Sequence, residues 1–437
     1  MSVEWYRKTL GDVCLKITDG AHASPKSVMK GKPMASVKDL TRFGVDLSEA
    51  RHISVEDFEQ LVRQGCKPAV GDVLIAKDGN TALDTVCSVK EPLDAVLLSS
   101  VAILRPNPIE VDSDYLKFYL SSRETVAYLK SNFISGAAIP RVVLKDFRKA
   151  EILLPSLKVQ RDIASVLNSI DMKVELCQST NRTFQDMAQA IFKFWFVDFG
   201  PVRAKMAGQQ PEGMDAATAA LFPNELVDSE VGLIPKGWDV TTLKQLTSKV
   251  GSGATPKGGR EVYLDEGVAL IRSQNVYDSE FVWGGLARIS DDAAAQLKGV
   301  EVFPEDVLLN ITGASILRTC VVPQEVLPAR VNQHVAIIRA KGEISPRYLH
   351  LHLLQRQVKD YLLGLNTGGS REAVTKSHIE SVQILNPGRD VLLKFQQLVE
   401  PLFSDIENLA SQARVLSNLR DTLLPKLLSG ELKVEEA

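Results

Sequence analysis

The longest regular pattern of hydrophobic and polar positions runs from Leu157 to Phe199. Its apolar side chains recur in alternating steps of four and three residues, which is the spacing of a heptad seam. The seam positions are Ile163, Leu167, Ile170, Val174, Cys177, Asn181, Phe184, Ala188, Ile191 and Trp195. Neither Gly nor Pro interrupts the stretch, so it predicts one helix of roughly 35 to 40 residues, about 50 to 60 Å long. A stripe of that length must pack along another helix.

A partner for this helix is predicted near the end of the sequence, where the same seam recurs. Each position lies 232 residues after its counterpart, from Phe395 (after Ile163) to Leu427 (after Trp195). The second seam consists of Phe395, Val399, Leu402, Ile406, Leu409, Ala413, Leu416, Arg420, Leu423 and Leu427. A duplicated unit places its two globular regions symmetrically only if the helices run in opposite directions. We therefore predict an antiparallel pair.

The regions that precede the two seams also repeat each other. Gly20 corresponds to Gly253, and the strand-like Val101–Arg105 corresponds to Val335–Arg339. The polar residues of the intervening loops differ, so the framework is duplicated and its exposed chemistry is not. The pattern predicts an α+β fold in which two duplicated globular domains are joined by two long helices packed as an antiparallel coiled coil. The predicted boundaries are 1–155 and 235–388 for the globular domains, 156–199 and 389–430 for the long helices, and 200–234 for a linker.

Local patterns place individual elements in the first domain. Val55–Val62 and Asp114–Leu129 have helical spacing, and each is predicted to form one helix. Gly71–Ala76 is typical of a turn that leads into a buried strand, and Val101–Pro106 is typical of a second strand.

Composition narrows the class of protein. The chain has 437 residues, of which 45% are hydrophobic and 24% charged, as expected of a globular protein of two or three domains. Its five cysteines are scattered, which is typical of reduced thiols in a cytoplasmic protein. We find no signal peptide and no apolar run of transmembrane length. The formal net charge of −3 argues against a chain that binds DNA alone by surrounding it with positive charge.

Motifs for catalysis are missing from the sequence. Gly253–Gly258 has the glycine spacing of a Walker A loop, but Gly259 and Arg260 stand where the loop needs Lys and Ser or Thr. There is no GxSxG, no HExxH and no Asn/Asp-Pro-Pro-aromatic tetrapeptide, which a base-amino methyltransferase would use. The six histidines are dispersed, so no metal site and no catalytic residue are predicted. A duplicated fold of this kind indicates recognition.

Three motifs resemble those of the specificity subunits of type I restriction–modification systems. They are the C-terminal stretch LRDTLLPKLLSGEL at 419–432, the stretch AIFKFWFVDF at 190–199, and SEVGLIPKGW at 229–238. The resemblance implies that each globular domain is a target-recognition domain that reads one half of a split DNA site. It also implies an antiparallel helical spacer, with methylation and cleavage performed by other subunits.

The resemblance extends to partners and cofactors. It implies double-stranded DNA, two methyltransferase subunits and restriction/translocase subunits as partners, with no membrane. No cofactor is expected in this chain, whereas the family's complete enzyme uses S-adenosylmethionine, ATP and Mg²⁺. Because the loops differ between the two copies, the DNA target is expected to be asymmetric and bipartite.

Candidate DNA contacts are polar side chains on loops that could reach a groove. They are Lys38, Asp39, Lys77, Asn80, Thr81 and Arg141 in the first domain, and Ser273, Gln274, Asn275, Asn310, Thr312, Ser315 and Arg371 in the second. The alternative is that many of them form turns or helix caps, where Asn, Asp and Thr are common. For Asn332, Gln333 and His334, a structural hydrogen-bonding role is at least as well supported.

Two features of the seams lead to further expectations. Arg420 is expected to extend from its seam position to a surface carboxylate. The aromatic run Phe192, Phe194, Trp195, Phe196 and Phe199 exceeds what one helix face can bury in a two-helix rod, and its central residues are Phe194, Trp195 and Phe196. They either pack on the linker or bind a partner subunit, and we favour the partner.

Two other functions remain open at this point. One is a non-catalytic coiled-coil scaffold whose paired domains bind proteins. DNA retention with a steep salt dependence would separate it from a DNA-recognition subunit. The other is a nuclease or methyltransferase, which the missing motifs disfavour.

Overall fold

A computed structural model describes residues 5–135, 140–342, 344–365 and 373–434. The α-helices are α1 (Leu10–Val13), α2 (Val55–Arg63), α3 (Ser113–Ser121), α4 (Arg123–Phe133), α5 (Leu144–Phe147), α6 (Leu157–Phe196), α7 (Gly200–Met206), α8 (Ala216–Ala220), α9 (Leu243–Leu246), α10 (Asp291–Gln296), α11 (Pro346–Leu354), α12 (Arg356–Gly364), α13 (Lys376–Glu380) and α14 (Arg389–Ser429). The chain divides into unit 1, Met1–Ser179 with Ala410–Ala437, and unit 2, Thr180–Leu409.

The strands of unit 1 are β1 (Tyr6–Thr9), β2 (Cys14–Asp19), β3 (Lys32–Ala35), β4 (Arg51–Ile53), β5 (Val73–Ala76), β6 (Val86–Ser88), β7 (Val96–Leu97), β8 (Val101–Pro106), β9 (Ile134–Ser135), β10 (Arg141–Val142) and β11 (Glu151–Leu154). Four of them form an antiparallel sheet in the order β2-β8-β5-β6, and three form a second sheet in the order β4-β3-β7. β1 pairs with β11.

The strands of unit 2 are β12 (Leu226–Ser229), β13 (Gly232–Pro235), β14 (Asp239–Thr242), β15 (Thr247–Ser252), β16 (Tyr263–Leu264), β17 (Val268–Ile271), β18 (Val276–Tyr277), β19 (Glu280–Phe281), β20 (Ala287–Ile289), β21 (Glu301–Val302), β22 (Val307–Asn310), β23 (Thr319–Val321), β24 (Ala329–Val331), β25 (Val335–Ala340) and β26 (Gln383–Asn386). The order β15-β25-β22-β23 repeats the four-stranded sheet of unit 1, and β14 pairs with β26 as β1 pairs with β11. The duplication predicted from the sequence is therefore present in the fold.

An ion pair to a buried aspartate shows how closely the two frameworks agree. In unit 1, the guanidinium of Arg105 on β8 donates to both carboxylate oxygens of Asp72, at 2.7 and 2.8 Å. In unit 2, Arg339 on β25 makes the same two contacts with Asp306, both at 2.7 Å. Bidentate pairs of this kind fix orientation as well as adding energy. Each pair holds the turn before the central strand, β5 or β22, against the neighbouring strand.

The long helices run antiparallel within each unit, as predicted. In unit 1, Ile163 and Leu167 near the start of α6 share a hydrophobic core with Leu424 and Leu427 near the end of α14. In unit 2, Trp195 near the end of α6 packs on residues near the start of α14, including Phe395. The α6 seam positions in unit 1 are all buried, which confirms the heptad assignment there: Ile163, Leu167, Ile170, Val174 and Cys177.

A buried ionic cluster lies at the helix interface of unit 1. The carboxylate of Asp171 on α6 accepts from Lys117 Nζ on α3 at 2.8 Å and from Arg420 Nη1 on α14 at 2.9 Å. Arg42, on the loop after β3, approaches it to 3.3 Å. Burial opposes ionisation of Asp171, but the charges of Lys117 and Arg42 outweigh it, so the pKa of this carboxyl lies below its usual range.

Arg420 was expected to pair with a surface carboxylate, and the structure shows that it pairs with one surface carboxylate and one buried carboxylate. It contacts the partly exposed Asp421, with Nη2 and Oδ1 2.8 Å apart, but it also pairs with the buried Asp171. The buried partner could not be foreseen because Asp171 is not a seam position of the heptad. The cluster joins α3, α6, α14 and a loop within unit 1.

Two local predictions need correction. Asp114–Leu129 is not one helix: the chain breaks at Ser122, which has extended backbone angles and whose hydroxyl caps α4 by accepting from Thr125 N. The predicted linker is also more ordered than its weak periodicity suggested. It contains α7, α8 and the β12–β13 hairpin, and its residues Val202 and Phe222 are buried in the core of unit 2.

Candidate nucleic-acid interface

One edge of the four-stranded sheet gathers polar side chains in each unit. In unit 1, β2 and β5 both pair antiparallel with β8, so both end at the edge where β8 begins. In unit 2, β15 and β22 end in the same way beside the start of β25. The loops that leave these strand ends therefore lie together. They hold a charged cluster in unit 1 and a neutral cluster in unit 2.

The charged cluster consists of Asp19, His22, Lys77, Asp78 and Arg141. Lys77 Nζ donates to Asp19 at 2.8 Å and lies 3.8 Å from Asp78. Arg141 Nε lies 3.2 Å from Asp78, and His22 Nε2 lies 3.2 Å from Asp19. The Lys77 side chain is only 5% exposed, whereas those of Arg141 and His22 are 62% and 77% exposed. The buried ammonium group of Lys77 lies between the carboxylates of Asp19 and Asp78. The side chains of Arg141 and His22 are exposed at the surface.

The neutral cluster consists of Thr255, Thr312, Gln333 and His334. Thr312 Oγ1 and His334 Nδ1 are 2.7 Å apart, and Gln333 Nε2 lies 3.1 Å from His334 Nε2. Thr255 donates through its hydroxyl to Gln333 Oε1. Thr312 occupies the position of Asp78, because each forms the isolated backbone bridge next to the central strand. The cluster is a continuous chain of hydrogen bonds without a formally charged carboxylate, lysine or arginine.

The structure places the candidate DNA contacts at very different depths. Lys38, Asn80, Thr81, Arg141 and Gln274 are exposed, while Ser273, Thr312 and Ser315 are half-buried. Arg371 lies outside the described residues. Four others are buried: Asp39, Lys77, Asn275 and Asn310. DNA contact at the exposed and half-buried positions stays a prediction.

The buried candidates hold loops in place. The Asp39 carboxylate accepts from Ser36 N at 2.7 Å and closes the 3-10 turn Val37–Asp39. Asn275 closes the matching turn of unit 2, accepting from Arg272 N and donating to Val282 O at 2.8 Å. With their polar groups directed into the fold, these side chains do not face a ligand. We correct the expectation of base contact for Asp39 and Asn275 to a capping role.

Asn310 and Lys77 need the same correction. Asn310 Nδ2 donates to the carbonyl oxygens of Ser273 at 2.9 Å and Val276 at 3.1 Å, so it ties the 3-10 turn to β22. Lys77 is neutralised by Asp19. Asn serves in base contacts and in turns, and Lys serves in base contacts and in ion pairs, which is why the sequence pattern did not separate the two roles.

Six members of the clusters were missed or discounted on the sequence: Asp19, His22, Asp78, Thr255, Gln333 and His334. Each lies within three residues of a strand end at the same sheet edge. The signal that could have found them is the duplication itself. Gly20 and Gly253, which were matched in the sequence, directly precede the loops that carry His22 and Thr255.

The aromatic run at the end of α6 is part of the core of unit 2. Trp195 packs edge-on against Phe222 of the linker, with ring centroids 5.0 Å apart, and Phe196 contacts Tyr348 at 4.9 Å. Phe194 is partly buried against Gly200. The preferred interpretation of Trp195 and Phe196 as a partner-binding surface was therefore wrong. The alternative, packing on the linker, holds for Trp195 and Phe194, whereas Phe196 packs on Tyr348 of α11 and Phe395 of α14.

The described ranges show how the potential metal ligands and two of the thiols are placed. No group of three His, Cys, Asp or Glu residues within them is arranged to hold a metal ion. Burial raises the pKa of the Cys14 and Cys87 thiols to about 12, so neither is a thiolate nucleophile at neutral pH. Within the same ranges, no helix is long and apolar enough to span a membrane.

Comparisons with known proteins point in one direction. A family model described as the type I restriction modification DNA specificity domain matches residues 2–183. The chain is 26% identical over 426 residues to the HindI specificity subunit of Haemophilus influenzae, covering 87% of this chain and 91% of the relative. It is 29% identical over 336 residues to the MjaIX specificity subunit of Methanocaldococcus jannaschii, covering 75% and 70%.

A solved structure shares the fold. The S subunit of a type I restriction-modification system from M. genitalium aligns with a TM-score of 0.55 at 14% identity, and the alignment covers 97% of this chain and 96% of that one. The similarity includes both units, so the duplicated architecture is common to the two proteins.

Proposed function

Because this chain belongs to the family of type I restriction–modification specificity subunits, we propose that its charged and neutral clusters read the two halves of its DNA target. As a member of this family the chain is a sequence-specific DNA-binding subunit that reads an asymmetric bipartite target. It directs the other subunits of its system to that target.

The observation that carries the proposal is one location with two chemistries. Both clusters lie at the strand ends that meet the start of β8 or β25, and both are anchored by the same backbone bridge. The surrounding frameworks match down to the Asp72–Arg105 and Asp306–Arg339 pairs. The side chains at this edge are where the copies diverge. Divergence on a duplicated framework is what reading two different half-sites requires.

The chemistry of each cluster suits a different kind of base pair. Arg141 offers exposed guanidinium N–H groups, and arginine pairs with the two acceptors of guanine in the major groove. The neutral cluster offers an amide, an imidazole and hydroxyl groups, which can meet a mixed pattern of donors and acceptors. We propose that the half-site of unit 1 contains guanine and that the half-site of unit 2 is read without a full positive charge.

The remaining steps of restriction and modification are assigned to partners. We propose that two methyltransferase subunits modify the target and that restriction/translocase subunits cleave DNA, with S-adenosylmethionine, ATP and Mg²⁺ bound there. This chain contributes recognition and no catalysis or cofactor of its own. Its net charge of −3 fits a complex in which partners supply many of the phosphate contacts.

The test is to sequence the methylated motifs of cells that express the chain with its methyltransferase partner. Arg141→Ala should relax one base pair of one half-site and leave the other half-site intact, because a good base contact is worth about 1–3 kcal/mol. Thr312→Val should affect only the opposite half-site. Arg7→Ala is the matched control, since Arg7 is exposed on β1, outside the sheet that carries the cluster. Equal weakening of both half-sites by Arg141→Ala would contradict the proposal.

A further inference from the structure

Gln333 is an exposed side chain whose amide is fixed at both ends. Its Oε1 accepts from the Thr255 hydroxyl, and its Nε2 lies 3.1 Å from His334 Nε2. His334 is fixed in turn, because its Nδ1 lies 2.7 Å from Thr312 Oγ1. An exposed glutamine normally samples several rotamers, and ordering it costs conformational entropy. In this protein the Gln333 side chain is already held in one rotamer, so binding a ligand requires little further loss of conformational entropy.

The backbone beneath Gln333 is also constrained. Asn332 is buried, and its Oδ1 accepts from His334 N at 3.0 Å. The loop that carries Thr255 presses on this segment: a Cβ at Gly253 would lie 1.8 Å from Val331 O. Only glycine permits that approach. Two loops are thus packed together so that the Thr255 hydroxyl meets the Gln333 amide.

The hydrogen-bonding capacity left over defines what the amide can bind. An amide has two N–H donors and two acceptor lone pairs. Within the described residues, Gln333 uses one acceptor site for Thr255 and one donor for His334. One N–H and one lone pair therefore remain for a ligand. Turning the amide by 180° exchanges the partners but leaves the same pair, so the result is independent of the imidazole tautomer.

We propose that Gln333 reads adenine in the half-site of unit 2. Adenine presents an acceptor, N7, and a donor, N6–H₂, in the major groove, which matches the free N–H and lone pair of the amide. Guanine presents two acceptors there, so the Gln333 oxygen would face an acceptor instead of a donor. The inference rests on the proposed function, because it requires that the neutral cluster faces DNA.

The equivalent place in unit 1 lacks such a group. His334 directly precedes β25 as Ser100 directly precedes β8, so Gln333 corresponds to Ser99. A serine hydroxyl cannot make the bidentate contact of an amide. The adenine contact is therefore confined to one half-site, which adds to the asymmetry of the target.

The experiment compares Gln333→Ala with Gln324→Ala, an exposed glutamine in a surface turn of the same unit. Methylated motifs are sequenced, and binding of the purified methyltransferase complex to duplexes with each substituted base pair is measured. Gln333→Ala should lower discrimination at one A·T pair by roughly 5- to 160-fold and leave every other position unchanged. Gln324→Ala should keep the wild-type motif. Thr255→Val keeps the amide but frees it, so it should weaken discrimination at the same pair to a smaller extent.

Three results would overturn the assignment. An unchanged motif would show that Gln333 does not read a base, and relaxation at a G·C pair would show that it reads another one. Uniform loss of binding by a variant that melts like the wild type would make it a general support. If Gln333→Ala does not fold, the Thr255→Val variant, which keeps Gln333, supplies the test. Unchanged discrimination at the A·T pair in Thr255→Val would then overturn the assignment. If instead the half-site of unit 1 changed, the proposed division of labour between the units would fail first.

Discussion

Replacing Asp171 by Asn should destabilise unit 1 by about 3–5 kcal/mol. The carboxylate is 2% exposed and is shared by Lys117, which is equally buried, and by Arg420. Asn has nearly the same shape but no charge, so Lys117 and Arg420, together with the neighbouring Arg42, would lose their counter-ion. Removing one partner of a buried pair is costly for that reason, even where the intact pair adds little net stability.

The assay is thermal or urea unfolding of the full chain, followed by calorimetry. For a unit of this size, 1 kcal/mol corresponds to about 2–4 °C, so the transition of unit 1 should fall by roughly 6–20 °C. Asp421→Asn is the matched control, because Asp421 contacts the same arginine from a partly exposed position. An exposed pair contributes about 0–1 kcal/mol. The double variant Asp171→Asn with Lys117→Met should recover part of the loss, since it also removes a stranded charge.

The pH dependence gives an independent check. The folded-state pKa of Asp171 is lowered, so its contribution to stability is present above the unfolded value of about 3.9. That contribution is lost as the pH falls through the folded pKa. In Asp171→Asn the free energy of unfolding should therefore depend less steeply on pH in the acid range. If Asp171→Asn and Asp421→Asn unfolded at the same temperature, the buried cluster would not stabilise the helix pair and this reasoning would be wrong.

Two further predictions follow from buried groups and close contacts. Burial, together with the charges of Arg347 and Lys359, lowers the pKa of His350 to about 3, and burial lowers the pKa of His352 to about 4, so the unfolded chain takes up both protons first. Each histidine should cost unit 2 up to about 1.4 kcal/mol per pH unit as the pH falls below about 6.5, and urea midpoints should show that His350→Gln removes about half of this slope. Gly20→Ala and Gly253→Ala would each push a Cβ into a carbonyl oxygen, at 2.1 and 1.8 Å, so motif sequencing should show each degrading a different half-site. Loss of both half-sites from either substitution would contradict this.

Much of the fold could be predicted from the sequence because its long helices and buried strands have regular hydrophobic spacing. The heptad seams predicted α6 and α14 and their direction, and Val101–Pro106 is β8 with the predicted bounds. The break at Ser122 was missed because the apolar residues before and after it keep the same helical spacing. The hydrogen bond that caps α4 joins Ser122 to Thr125, only three residues away, and leaves no mark on that spacing. Local capping competes with periodicity wherever Ser or Thr occurs inside a helical pattern.

For the candidate DNA contacts, the sequence predicted loops but not the orientation of individual side chains. The loops after β5 and β22 were predicted to contact DNA, but the sequence pattern within them does not separate outward from inward side chains. Asn275 and Asn310 have the functional groups of a base reader, but both are buried and their Nδ2 groups donate to backbone carbonyls. Gln333 was discounted because it precedes a buried strand. What makes it a reader is contact with Thr255, 78 residues away in the sequence, and no local pattern reports such a contact.

The division of the chain into units has a consequence for its synthesis on the ribosome. Unit 1 takes its last helical segment from Ala410–Ala437, after the whole of unit 2 has been translated. Until then the stripe that includes Ile163 and Leu167 lacks Leu424 and Leu427. At 5–20 residues per second this delay is roughly 13–50 s. Unit 2 can therefore fold first although its translation ends only shortly before that of unit 1, and the apolar stripe of the nascent α6 stays uncovered until then.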